Sequence, residues 1–126
     1  MTFQEIKEVL EAQVIIAPQD ANLELKMACG ADLMSDVLAF TKEESLLLTG
    51  LTNLQVVRTA EMANVKAVVF VRGKEPDREA IALAMSKNLP VLVTDLPMYE
   101  ACGRLYRKGL PGCSELDEGS CAAHDG

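Results

Sequence analysis

Three short stretches of this sequence bring together small, hydroxyl and charged residues in a way that suits an anion. Thr49-Gly50-Leu51-Thr52-Asn53 offers a glycine turn, two hydroxyls and an amide side chain just ahead of a helical pattern. The first N–H groups of a helix lack intrahelical partners, so a phosphate or carboxylate can accept from them. Arg72-Gly73-Lys74 places two cations around a residue of high backbone freedom. Thr94 and Asp95 precede a further helix entry at Leu96-Pro97, where they serve as a cap or where Asp95 accepts from a ribose or an amine. Arg58, one turn into the helix after the first stretch, is a third cation. Beside the anion reading stands a structural one, in which Gly50 turns the chain, Thr52 or Asn53 caps a helix, and Arg72 and Lys74 solvate a loop.

A second cluster is Asp32, Ser35 and Asp36, with the two carboxylates four residues apart and on one face if the segment is helical. Paired carboxylates can share a metal ion or a proton, which is the only foothold for an enzyme reading. An exposed acidic helix start, with Asp32 as its N-cap, is the structural alternative. Other catalytic parts are missing. The sole histidine, His124, is the third residue from the end, far from any shell that could orient it for nucleophilic catalysis. Neither GxxxxGK[ST] nor GxGxxG occurs, and Cys29, Cys102, Cys113 and Cys121 form no CxxC pair. Cys113, Cys121 and His124 supply at most part of a metal site, while Cys102 falls on an apolar helix face. The expectation is therefore no catalytic residue, no cofactor and no metal.

The elements that must position these residues follow from periodicity. Thr2 and Glu5 form a capping-box pattern that opens a helix over residues 3–11. Residues 13–17 (QVIIA) read as a buried strand. Residues 22–27 alternate Leu23 and Leu25 against Glu24 and Lys26, which suggests a half-exposed strand, either in a hairpin with the first or leaving through Cys29-Gly30 as a loop. Residues 32–40 have helical spacing. From residue 45 onward, strands at 45–49, 67–71 and 90–93 alternate with helices at 53–64, 77–87 and 97–108. Continuous apolar strands alternating with helices predict an α/β fold: a three-layer single domain with a mostly parallel sheet, a βαβαβα core, and an N-terminal helix with short strands. In such sheets ligands collect outside the carboxyl ends of the strands, where the three anion-suited stretches fall.

With 126 residues, the chain fits one domain over 1–110 and an acidic segment over 111–126 that reads as disordered. Net charge is −7, of which residues 112–126 contribute Glu115, Asp117, Glu118 and Asp125 with no lysine or arginine. Without them the remainder carries −3 and keeps all 12 basic residues, so a single phosphate-bearing ligand is compatible while a nucleic-acid polymer is not expected. The N-terminus lacks the pattern of a signal peptide, and no apolar run approaches the ~20 residues of a membrane span. A cytoplasmic location is the expectation.

LLLTGLTNLQVVRTAEMA (46–63), VVFVRGKEP (68–76) and LPVLVT (89–94) resemble the core of the DRTGG domain family. The resemblance extends to ADLMSDVLA (31–39) and CGRLY (102–106), covering roughly residues 10–110. The literal DRTGG string is missing, and the segment from Asp32 to Asp36 stands as its counterpart, similar to a short, stand-alone branch. The resemblance implies a fold similar to the amino-terminal domain of HPr kinase. Longer members carry the domain as an accessory module in phosphotransacetylases and CBS-domain pyrophosphatases; stand-alone relatives resemble companions of iron hydrogenase and anti-sigma-type kinase proteins. What it implies is regulation and dimerisation. The leading expectation is a non-catalytic module that binds a nucleotide or other small anion at the sheet edge. The alternative is a protein-interaction or dimerisation module, accessory to a redox, hydrogenase or kinase system and without a small ligand. A homodimer is expected in either case, with Met27, Met34, Met62, Met85 and Met98 as adaptable contact or core residues.

Overall fold

The first helix, α1 (Phe3–Val9), starts at the expected capping box. Glu5 N–H donates to Thr2 Oγ1 at 3.1 Å, and Thr2 N–H donates to Glu5 Oε1 at 2.9 Å. Phe3 and Ile6 on its inner face are buried. The computed structural model describes residues 1–116, and the elements continue as β1 (Gln13–Ile16), β2 (Ala28–Gly30), α2 (Met34–Phe40) and β3 (Leu46–Thr49). After these come α3 (Leu54–Met62), β4 (Ala67–Phe70), α4 (Arg78–Ser86), β5 (Val91–Val93), α5 (Met98–Arg107) and a 3-10 turn (Cys113–Leu116).

One five-stranded sheet runs in the order β1-β5-β4-β3-β2. The four strands from β2 to β5 are parallel, and β1 pairs antiparallel with β5. Every residue of β3 and β4 is buried, which is why those segments lack polar alternation. Leu46, Leu48, Ala67 and Val69 face the layer of α1 and α5; Leu47, Val68 and Phe70 face α2, α3 and α4. Burying a leucine or phenylalanine side chain stabilises by about 1.5–3 kcal/mol, so these two faces carry the fold. Crossovers of one hand, stepping in one direction along the sheet, put α2, α3 and α4 on the same face.

Two expectations are corrected. Residues 13–17 and 22–27 form no hairpin. The pairing edge of β1 is taken by β5, and residues 23–25 instead bond to the N-terminus, with Phe3 N–H donating to Leu23 O and Leu25 N–H to Met1 O. The alternation was real, since Leu25 is fully buried, but its partner is the start of the chain. The second strand lies later, at β2, on the opposite edge of the sheet. The helix expected from residue 32 begins at Met34, with Leu33 at its N-cap and no capping side chain. Beyond α5, Leu110 and Cys113 are buried and Gly112 pairs with Ala28, so the described part of the acidic segment packs on the sheet. The remainder, with Cys121 and His124, lies outside the described residues.

Candidate functional site

At the carboxyl edge, the loops after β4 and β5 part company: one leads to α4 on one face, the other to α5 on the opposite face. Divergent loops after neighbouring parallel strands open the crevice where α/β sheets hold ligands. Here the chain itself bridges part of it. Arg72 N–H donates to Leu96 O at 2.8 Å, and Gly73 N–H donates to Thr94 O at 2.8 Å. Arg72 and Gly73 both have positive φ, 63° and 66°, and Lys74 N–H reaches back to Val71 O at 3.4 Å. That is the geometry of a type I′ turn, in which glycine and asparagine are the low-cost residues. An arginine there accepts left-handed strain of about 1–2 kcal/mol.

The structure brings most of the expected residues to this edge. A methyl group on Gly50 would come within 2.5 Å of the Arg72 guanidinium, and one on Gly73 within 2.9 Å of Asp95 Oδ1. The glycines therefore let the loops after β3, β4 and β5 close onto one another. Arg72, Lys74 and Asp95 are exposed. Asn53 occupies the N-cap of α3 but makes no capping hydrogen bond, so no side chain closes that helix end. Thr52 O accepts from Asp77 N–H at 2.9 Å, tying the α3 entry to the α4 entry. Arg58 is exposed on α3. Thr49 and Thr94 are buried structural hydroxyls. Thr94 Oγ1 donates to Leu10 O at 2.7 Å, bracing the end of α1, and accepts from Leu96 N–H. Pro97 is the N-cap of α5, so neither Thr94 nor Asp95 caps it.

The Asp32–Asp36 pair is divided. Asp32 precedes α2, and its Oδ1 accepts from Gly50 N–H at 2.7 Å and from Thr49 Oγ1 at 3.2 Å. Asp36 and Ser35 are exposed in the first turn of α2. The shared-face reading thus gives way to a loop carboxylate that holds the β3 turn. Sequence spacing could not show this, because the partner lies 18 residues away in the chain. Among the described residues no group of His, Cys, Asp or Glu is arranged to hold a metal ion. Burial pushes the thiols of Cys29 and Cys102 up from their ordinary pKa, which keeps them protonated and weakly nucleophilic. Cys113 is buried with its thiol towards Ala28 O at 3.8 Å.

A feature the sequence did not announce is a groove of about 690 Å³ between α5 and the β2 edge, lined by Gly30, Leu48, Tyr99, Gly103 and Tyr106 among others. Tyr106 follows the apolar spacing of α5, but the helix turns it outward. Among the described residues no helix is long and apolar enough to cross a membrane.

Comparison with known proteins agrees with this architecture. A crystal structure of the CBS and DRTGG domains of the regulatory region of Clostridium perfringens pyrophosphatase, complexed with its activator diadenosine tetraphosphate, superposes with a TM-score of 0.72 at 20% identity. The match covers 87% of this chain and 47% of that one, so this chain spans about half the length of that structure. No curated protein matches. The family model of the DRTGG domain matches residues 5–107, nearly the whole folded unit, and the chain belongs to the DRTGG domain family.

Proposed function

We propose that the chain is a non-catalytic regulatory module that senses a nucleotide or another small anionic ligand at the carboxyl edge of its sheet. Arg72 carries this reading. It is held at a φ of 63°, where asparagine or glycine would be less strained, with its guanidinium against Gly50. Strain retained at an exposed charge favours a role for that charge beyond folding. The open N-terminus of α3, with Gly50, Thr52 and Asn53 leading into it, supplies backbone donors alongside Arg72, Gly73, Lys74 and, further along the helix, Arg58. Thr49, Thr94 and Asp32 set the loops, and Asp95 bounds the site. The nucleotide activator of the Clostridium perfringens regulatory region supports a nucleotide as the ligand class. Calorimetry with ATP, ADP, AMP and diadenosine tetraphosphate tests the reading. The R72A/K74A double variant is expected to weaken binding on the order of tenfold or more, as losing two charged contacts does. Binding unchanged by that variant would remove the site assignment.

Exposed Leu33, Leu38 and Phe40 on and beside α2, with Met62 at the end of α3, favour a second reading. Such side chains suit a protein-interaction or homodimer surface, here of a cytoplasmic module accessory to a redox, hydrogenase or kinase system. Sedimentation at micromolar concentration tests this surface: a strict monomer rules out the homodimer.

A further inference from the structure

Three helices cover one face of the sheet, and among the described residues α1 and α5 are the helices that cover the other. Helices pack about 8–10 Å apart and strands about 4.8 Å apart. Two helices therefore leave the β2 edge of a five-stranded sheet open, and the groove of about 690 Å³ lies there. Ligand pockets span roughly 300–1,000 Å³.

The groove is more than a gap in cover. The chain has two tyrosines, and both line it: Tyr99 and Tyr106, 89% and 61% exposed. Aromatic rings are large apolar surfaces whose exposure in pairs marks a binding surface. Between them in the helix sits Gly103, with nothing within 4 Å of where its Cβ would be. Among the described residues no neighbour requires that glycine, and it weakens the helix. On the floor, Ala28 N–H turns away from β3 to Pro111 O, whereas Ala31 N–H turns towards β3 and Leu48 O. Gly30 lies between Cys29 and Ala31 in the same parallel ladder, so its N–H and C=O point outward with those of Ala28. Among the described residues, neither Gly30 group has a hydrogen-bond partner. Arg107 lines the groove, is exposed, and makes no ion pair among the described residues; Arg104 is held by Glu11 at 2.8 Å. Glu100, two turns earlier on α5, makes the opposite end unfavourable for an anion.

A donor beside an acceptor matches the polar edge of a heteroaromatic base, flanking rings match its faces, and a guanidinium matches a phosphate. We propose that this groove binds a nucleoside phosphate, its base over Gly103 between Tyr99 and Tyr106, its polar edge on Gly30 and its phosphate at Arg107. The proposal rests on the reading that the chain senses a nucleotide, and it adds a base-recognising site away from Arg72 and Lys74.

ATP titrated into the full chain, followed by the ring signals of the tyrosines in NMR, tests this directly. With two tyrosines and no tryptophan, those signals report on the groove alone. Both sets are expected to shift saturably. Gly103→Leu projects into open space and should fold with an unchanged or higher Tm, yet weaken ATP binding on the order of tenfold by filling the slot. Arg107→Ala should weaken ATP but leave adenosine unchanged. Shifts that persist in R72A/K74A keep the groove as a site of its own, and the calorimetry of that variant decides the sheet edge separately. ATP binding by calorimetry that leaves the tyrosine signals unmoved, or that Gly103→Leu does not weaken, overturns the groove and leaves the edge standing. No ATP binding by either method overturns both.

Discussion

The carboxyl edge of the sheet and the groove beside α5 treat their polar groups in opposite ways. At the edge, the amide of Gly50 is already bonded to Asp32, and those of Arg72 and Gly73 to the loop after β5. What remains free there is charge, on Arg72 and Lys74, and the uncapped start of α3. In the groove the balance is reversed: among the described residues the N–H and C=O of Gly30 have no hydrogen-bond partner, Tyr99 and Tyr106 are exposed, and the floor is core. A preformed loop network suits an anion that is gripped by charge. An open apolar slot suits a flat ring that is gripped by surface. The difference teaches that, if both proposed sites hold, the charge and the ring of a ligand are recognised by different kinds of surface in different places.

The largest expected effect comes from the groove floor. Leu48 is fully buried in β3 yet lines the groove, so it belongs to both the core and the site. Leu48→Ala is expected to destabilise by about 2–5 kcal/mol, as deletions of buried leucine do. Urea denaturation measures it, and a loss below about 1 kcal/mol would mean that the floor is not core. At the edge, Asp32→Ala removes the acceptor of a buried N–H and should cost about 1–3 kcal/mol. A neutral outcome would show that the β3 turn stands without that carboxylate.

Next in size are two substitutions expected to stabilise. Arg72→Asn relieves left-handed strain and should raise stability by up to about 1 kcal/mol while lowering anion affinity. If it destabilises, the guanidinium against Gly50 is structural packing and the edge reading loses its main support. Gly103→Ala fills open space in α5 and should add about 0.8–1 kcal/mol, raising Tm on the order of 4 °C. A drop in Tm would mean that the helix needs the glycine for its own packing.

How much of this was legible depended on whether the partner was local. The strands and helices from residue 45 onward were readable because burial on both faces leaves continuous apolar runs, and helix periodicity lies within the segment. The three loops at the edge were readable as a group once the strands were parallel. Residues 22–27 were not, because alternation shows that one side is buried without saying against what, and the answer was the N-terminus. Asp32 was misplaced for the same reason: its acceptor role is set by Gly50 across the sheet. The groove was illegible because Tyr106 fits the apolar stripe of α5 by spacing. Its exposure follows from there being no third helix on that face among the described residues, which the spacing within one helix cannot show.

The smallest expected effect concerns α1, which touches the edge and not the groove floor. Its last turn accepts from Thr94 through Leu10 O, so fraying of α1 should loosen the loop after β5 first. Its first turn is held by the capping box, in which hydrogen bonds from the backbone and hydroxyl of Thr2 hold the Glu5 carboxyl below its ordinary pKa of 4.5. A carboxyl whose folded pKa is depressed contributes stability above its unfolded pKa, and loses it as pH falls through the folded value. Glu5 is fully exposed, so the contribution is small and screened by salt. Wild type should therefore exceed Glu5→Gln in stability slightly at pH 7, with the gap closing as the pH is lowered below the ordinary carboxylate range. Backbone hydrogen exchange should then quicken in α1 and at residues 94–96 before it does at Gly30 and along α5. Equal quickening at both places would show that the edge and the groove open as one cooperative unit, and the separation between them would fail.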